Sequence, residues 1–215
     1  MIPNPLDARR WSSVPDVATT EQVVLAVGRL EWRKGVDTLL DAVDALADTH
    51  PDSQLLLVGR PSGSMGGEPM ATWLERRLAR LRVPHEHREQ VEPALLGGWY
   101  AQARVVAVAS RFESYSIVAA EALAAGRPVV ASTRTGIAPL IAQEDCGALF
   151  PPEDSKRLRA ELVALLDAPY LAAERGHRGR AAVEAMLDPH LVALRREEVY
   201  RAAVRDHALR DSAPG

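Results

Sequence analysis

The sequence predicts an α/β chain folded around a doubly wound, parallel six-stranded sheet with a helical C-terminal extension. Two observations carry that expectation. Runs of three to five apolar residues alternate along the chain with segments whose apolar residues recur at helical spacing. Within the runs the residues are apolar throughout, as in strands covered by helices on both faces. At 215 residues and 47% hydrophobic content, the chain is long enough to bury an ordinary core.

The elements follow in order. Ile2-Pro3-Asn4-Pro5-Leu6-Asp7 is Pro-rich and reads as a linker, so residues 1–22 are expected to be linker and lead-in. Val23–Val27 is the first strand, ending at Gly28. Val36, Leu39, Leu40, Val43 and Leu46 mark a helix that stops at His50-Pro51. Leu55–Val58 is the second strand, closed by Gly59. Arg60 to Pro69 reads as a loop, and a helix runs from about Met70 to Leu81. A third strand near Val83–His87 is interrupted by Pro84 and charged residues, which suits a sheet edge.

A short helix spans about Pro93 to Ala103, and Val105–Val108 is the fourth strand. The next helix starts near Ser116 and ends at Gly126, a favourable C-cap. Pro128–Ala131 and Ala148–Phe150 are the fifth and sixth strands, and from Asp154 to about Val204 the pattern is helical. The domain proper is therefore expected at 23–187, with a C-terminal helix and tail at 188–215.

Composition narrows the function. A net charge of −3 argues against a nucleic-acid binder, whose footprint is usually basic. The single Cys146 leaves no internal disulfide and reads as a half-buried filler. No apolar run reaches the roughly 18 residues of a membrane span, and the N-terminus lacks a signal-peptide core, so a cytoplasmic protein is expected. His85 and His87 read as exposed edge-strand residues, and Arg76, Arg77, Arg80, Arg82 and Arg88 as a solvated face. Trp32, Trp73 and Trp99 read as core or rim packing.

In a sheet of strand order 3-2-1-4-5-6, strands 1 and 4 are neighbours where the winding reverses, and ligands bind outside their carboxyl ends. The loop after strand 1 carries Gly28, Arg29, Lys34 and Gly35. The segment after strand 4 runs from Ala109 to Glu121 and holds Glu113 and Glu121 with seven residues between them. Were that stretch wholly helical, the two carboxylates would stand about 12 Å apart along the axis. Paired carboxylates that hydrolyse one bond need roughly 5–9.5 Å. Glu113 and Glu121 are better spaced to grip two ends of an elongated ligand, with an anion on the N–H groups between them. Arg29 and Lys34 supply permanent cations, the backbone of Tyr115 to Val118 supplies helix-start donors, and small Ser114 and Ser116 permit close approach. Together they predict a diphosphate site.

On these residues the chain resembles the glycosyl transferases group 1, a large retaining family with the GT-B fold of two facing Rossmann-like domains. Gly28, Arg29, Leu30, Lys34 and Gly35 match the family's Gly-Arg-Leu…Lys-Gly loop. Glu113 and Glu121 match its Glu-x7-Glu motif, and Ala122, Gly126, Pro128, Val129 and Val130 the run that follows. Tyr100-Ala101-Gln102-Ala103 and Gly147 to Pro152 with Asp154 are smaller echoes. The resemblance covers about residues 2–205 and implies the C-terminal, nucleotide-sugar-binding half.

The same resemblance implies the roles. Arg29 and Lys34 hold and stabilise the donor's diphosphate, Glu113 contacts the transferred sugar, and Glu121 holds the ribose. The backbone of Ser114, Tyr115, Ser116, Ile117 and Val118 caps the phosphates. Gln90, Val91 and Leu96 are candidates for contacting the base, and Gly28, Gly59 and Arg60 border the pocket. Catalytic work falls to Glu113, Arg29 and Lys34. No two Asp lie two apart, so the Asp-x-Asp of metal-dependent transferases is missing; no cofactor is expected beyond the nucleoside diphosphate sugar as donor substrate.

The chain departs from the family where Ser114-Tyr115-Ser116 replaces Gly-Phe-Gly, and where Thr135 to Pro139 lacks the usual Glu. His87 to Gln90 lacks the usual Gly. An acceptor-binding half is expected as a preceding domain or a separate chain. The final helix, with Leu191, Leu194, Val199, Tyr200 and Val204, either returns toward that half or packs on this domain. A non-catalytic nucleotide-binding or partner subunit is the alternative function. A phosphorylase or a nucleotide-sugar epimerase is a third.

Overall fold

The computed structural model of the chain describes residues 4–17 and 21–211, with side chains as far as residue 205. Ile2 and Pro3 of the linker motif, residues 18–20 of the lead-in and the tail at 212–215 lie outside the described residues.

After the lead-in come β1 (Val23–Val27), α1 (Val36–Asp44), β2 (Gln54–Val58), the short β3 (Ser64–Met65) and β4 (Glu68–Pro69), and α2 (Met70–Leu78). Then follow β5 (His85–Arg88), α3 (Leu96–Gln102), β6 (Val105–Val108), α4 (Ile117–Ala124), β7 (Val129–Ser132), α5 (Ala138–Glu144) and β8 (Gly147–Phe150). Helices α6 (Ser155–Leu166), α7 (Pro169–Leu187) and α8 (Pro189–Asp211) end the described chain. Six strands form one sheet in the order β5-β2-β1-β6-β7-β8, every pair parallel. The predicted fold class is therefore the observed one.

Alternate residues of each strand feed opposite layers. Val23 and Leu25 of β1 join Val106 and Val108 of β6 in a core beneath α4 and α7, whereas Val24 and Ala26 join Val105 and Ala107 beneath α1 and α6. Both cores are apolar, so β1 and β6 carry no polar face. The carboxyl ends of β1 and β6 lie side by side, and the sheet continues past them through isolated bridges, Leu30 with Pro61 and Glu113 with Thr135.

The structure departs from the sequence expectations in several places. Arg60 to Pro69 is not wholly loop: β3 and β4 pair around Gly66 and Gly67, whose positive φ angles of 60° and 86° suit a tight hairpin. Ala138–Glu144 is a helix in a stretch to which the sequence pattern assigns no element, with Pro139 in its first turn, where a missing N–H costs nothing. Cys146 is fully buried rather than half-buried.

The arginine series is largely solvated, as expected, and several of its members also form ion pairs. Arg77 bonds Asp41, Arg82 bonds Asp44 and Asp48, and Arg76 bonds Glu68. His87, at the sheet edge, is half-buried against the Gly59 carbonyl, with Nε2 at 2.9 Å. On α8, Leu191, Leu194, Val199, Tyr200 and Val204 are exposed and do not pack on this domain, while Val192 is buried.

The described part of the lead-in is anchored by the buried Ala8, Trp11, Val14 and Val17. Asp7 caps a 3-10 turn at Ala8–Trp11, and buried Trp11 meets Tyr100 of α3 edge-on with ring centroids 5.1 Å apart. The buried Arg127 guanidinium donates to the Tyr100 carbonyl at 2.7 Å and to that of Pro15. Burial lowers its pKa to about 10, helped by the nearby Arg180 charge.

Candidate functional site

A crevice opens at the carboxyl ends of β1 and β6, lined by Gly28, Arg29, Lys34, Ser110, Glu113, Ser116 and Val118 among others. Lys34 ends a 3-10 turn at Trp32–Lys34, and Gly35 then takes a left-handed φ of 64°. A Cβ on Gly35 would stand 2.0 Å from the Ala109 carbonyl oxygen, so only glycine lets the loop after β1 lie on the end of β6. That contact brings Lys34 Nζ within 2.7 Å of Glu113 Oε1, across 79 residues of sequence. Ser110 Oγ donates to the other carboxylate oxygen, Oε2, at 3.0 Å. Both partners of the pair are mostly buried, Lys34 at 20% and Glu113 at 14% side-chain exposure. Arg29 stands at the rim, 65% exposed and 3.6 Å from Glu31.

The segment from Glu113 to Ser116 is loop, not helix, so the axial separation expected for a wholly helical stretch does not apply. Glu113 is held instead by Arg134, Thr135 and Gly136: its N–H donates to the Arg134 carbonyl at 3.1 Å, and its carbonyl accepts from Gly136 at 2.9 Å. Ser116 takes a left-handed φ of 86° and caps α4, its Oγ accepting from the Ala119 N–H at 3.3 Å. Helical bonding starts with Ala120 N–H to the Ser116 carbonyl, so the N–H groups of Ile117 and Val118 have no partner within the helix. With the α4 dipole behind them, these donors suit an anion.

Glu121 lies one turn further along α4. Burial raises its pKa, and a hydrogen bond from the Tyr100 hydroxyl at 3.4 Å opposes that shift. Tyr100 is itself fully buried and its pKa is pushed well up, by burial first and then by the Glu121 charge. Trp11 against Tyr100 and Tyr100 against Glu121 form a chain of contacts that orients this carboxylate.

The remaining candidates are spread around the rim. Arg60 donates to Gln90 Oε1 at 2.5 Å, joining the loops after β2 and β5, and Gly59 N–H donates to the Arg88 carbonyl. Val91 and Leu96 are half-buried against the core. Ser114 is exposed, and Ile117 is 55% exposed beside the crevice.

Tyr115 departs from expectation in its side chain. It lines a separate, mostly apolar pocket with Ile137, Leu140, Met186 and Leu187, and its buried hydroxyl has no hydrogen-bond partner among the described residues. Burial raises its pKa to about 12. Only its backbone remains beside the crevice.

Two contributors escaped the sequence reading. Ser110 carries no motif signal beyond its place at the end of β6. Arg111 has no role in the sequence motifs, yet its guanidinium is 11% exposed and bonds Asp37, Glu153 and the Trp32 carbonyl. An Arg two residues before an acidic motif residue is the sole sequence cue, and it is a weak one.

The profile of the family described as glycosyl transferases group 1 matches residues 21–168, from just before β1 into the turn after α6. The chain belongs to that family. Its relatives include a D-inositol 3-phosphate glycosyltransferase of Segniliparus rotundus, 37% identical over 196 residues, covering 88% of this chain and 42% of the relative. A glycogen synthase of Mycobacterium tuberculosis is 30% identical over 208 residues, covering 95% of this chain and 49% of the relative. The chain thus spans under half the length of these curated relatives. Among solved structures, a sucrose-phosphate synthase from Thermosynechococcus elongatus superposes with a TM-score of 0.78 at 29% identity, covering 95% of this chain and 52% of that one. The chain thus shares the Rossmann-like architecture of GT-B glycosyltransferases. No helix among its described residues is long and apolar enough to cross a membrane.

Proposed function

We propose that this chain is the donor-binding half of a retaining, metal-independent glycosyltransferase that moves a sugar from a nucleoside diphosphate sugar to an acceptor. One observation carries the reading: Lys34, Arg29 and the amino end of α4 line a single crevice where the sheet reverses its winding. Breaking the sugar–phosphate bond builds negative charge on the leaving diphosphate. Fixed cations and helix-start N–H groups placed there lower the barrier without reorganising.

In this reading Arg29 and Lys34 hold the diphosphate, with the N–H groups of Ile117 and Val118 beneath it. Glu113, already accepting from Lys34 and Ser110, faces the transferred sugar and orients its hydroxyls. Glu121, set by Tyr100, accepts from the ribose hydroxyls. Gly59, Arg60, Gln90, Val91 and Leu96 bound the base. The acceptor comes from a second half, in the same protein or a separate chain, and the exposed apolar residues of α8 suit contact with it. Residues 23–187 form the donor domain, and the protein works in the cytoplasm.

The test is thermal stabilisation by UDP, GDP, ADP and dTDP, since a ligand bound only by the native state raises apparent stability. One of the four should stabilise the chain, equally with and without a chelator. Arg29→Ala and Lys34→Ala should each weaken that ligand by roughly 1.5–3 kcal/mol, with exposed Arg29 at the lower end. Unchanged calorimetric affinity in both variants would count against the site. Restoring the second half and determining the anomeric configuration of the product by NMR tests retention.

A further inference from the structure

Lys34 and Glu113 sit on two irregular segments, a 3-10 turn after β1 and a loop after β6. Gly35 lets those segments touch, but a touch at one backbone atom does not fix the register of two side chains. What ties the segments together is Arg111. Its N–H donates to the Arg33 carbonyl at 2.9 Å, and Arg33 Nη1 returns a bond to the Phe112 carbonyl at 3.3 Å. The Arg111 guanidinium then crosses to the first segment. Nη1 reaches the Trp32 carbonyl at 2.5 Å and Asp37 Oδ1 at 2.9 Å, Nη2 reaches Asp37 Oδ2 at 2.7 Å, and Nε reaches Glu153 at 2.8 Å. Its carbon centre also lies 4.5 Å from the centroid of the Trp32 ring.

Asp37 occupies the first turn of α1, immediately after the Lys34–Gly35 turn. Burial pushes its carboxyl up, and the hydrogen bonds and charge of Arg111 outweigh this to leave it below its ordinary range. One planar side chain thus joins three loops at the same end of the sheet. Arg111 itself does not line the crevice.

We infer that Arg111 is a positioning residue of the donor site: by pinning the Trp32–Asp37 segment to the Arg111–Glu113 segment, it holds Lys34 and Glu113 where a diphosphate sugar meets both. The inference rests on the donor-binding reading above. Lysine cannot replace it, because a compact ammonium cannot span both Asp37 oxygens and the Trp32 carbonyl at once.

The experiment is a double-variant cycle read by calorimetric titration with UDP, GDP, ADP and dTDP. Arg111→Ala and Arg111→Lys are each made in the parent chain and in Lys34→Ala. Both should lose about tenfold in affinity for the diphosphate that the parent binds, with no rescue by lysine. In the Lys34→Ala background the further loss should fall below about twofold, because the group being positioned is gone. General weakening of the fold would instead lower affinity equally in both backgrounds. That result, or full rescue by Arg111→Lys, overturns the positioning role. If Arg111→Ala does not fold, Asp37→Asn provides the same cycle from the other side of the clamp. A parent chain that binds none of the four diphosphates, or a Lys34→Ala variant without effect, overturns the donor-binding reading and this inference with it. A parent that binds through Lys34 but is indifferent to Arg111 overturns this inference alone.

Discussion

Replacing Glu113 by glutamine should tighten nucleoside diphosphate binding by about tenfold while weakening the fold. Without ligand, the Glu113 carboxylate stands 2.7 Å from the Lys34 ammonium. A diphosphate oxygen accepting from the same ammonium at about 2.8 Å lies no more than about 5.5 Å from that carboxylate oxygen. Two unit negative charges at that separation repel by about 3 kcal/mol at an effective dielectric constant near 20. Screening over a Debye length of about 8 Å roughly halves this, leaving about 1.5 kcal/mol, a factor of about ten. Glutamine removes the repulsion, while its amide oxygen still accepts from Lys34 or Ser110.

The fold should respond with the opposite sign. Exposed pairs contribute about 0–1 kcal/mol, and breaking a fully buried pair costs about 3–5. The Lys34–Glu113 pair lies between those limits, so a loss of about 1–2 kcal/mol is expected. The assays are calorimetric titration with the diphosphate the parent binds, and a thermal melt of the unliganded variant. The complete nucleotide sugar should gain less than the bare diphosphate, because in the proposed site Glu113 also contacts the sugar. Unchanged or weaker diphosphate binding by the glutamine variant would refute the reasoning, since the anion would then not share Lys34 with this carboxylate.

Further outcomes follow from individual side chains. Glu121→Ala should weaken nucleoside diphosphate binding and leave pyrophosphate binding unchanged; equal losses of both in titration would contradict a ribose role. Burial holds the Glu121 carboxyl above its ordinary value of 4.5, so in that range this group is more protonated in the folded chain than in the unfolded one. Stability from this group is therefore present below about 4.5 and lost as pH rises through the higher folded value; Glu121→Gln should flatten that part of a stability–pH curve. Tyr115→Phe removes a buried hydroxyl that has no partner among the described residues. It should leave the unfolding free energy unchanged or raise it by up to about 1 kcal/mol, read from a thermal melt, without altering diphosphate affinity. A marked loss of affinity would return the Tyr115 side chain to the donor site.

The strands were legible because their residues answer to one local demand. Val23–Val27 and Val105–Val108 are apolar at every position, as burial on two faces requires, and the structure places both strands at those residues. Strand order then followed from topology, and with it the place of the crevice. Ala138–Glu144 was missed because Gly136 and Pro139 punctuate the sequence as a loop does, although proline is at home in a first helical turn. The Gly66-Gly67 turn hid a hairpin of two-residue strands, too short to show an alternating pattern.

Within the site, the boundary of what sequence conveys lies between chemistry and contact. Arg29, Lys34, Glu113 and Glu121 declare their charges wherever they stand, and motif spacing assigns them to the segments that follow β1 and β6. Whether Lys34 meets Glu113 depends on Gly35 clearing the Ala109 carbonyl and on Arg111 spanning to Asp37, and neither contact leaves a periodic trace. Tyr115 makes the converse point. Its backbone belongs to the segment that leads into α4, while its ring turns toward Ile137 and Leu187. A motif position thus fixes where a backbone amide lies more surely than where the side chain goes, and if helix-start N–H groups hold the anion as proposed, that is the part the ligand needs.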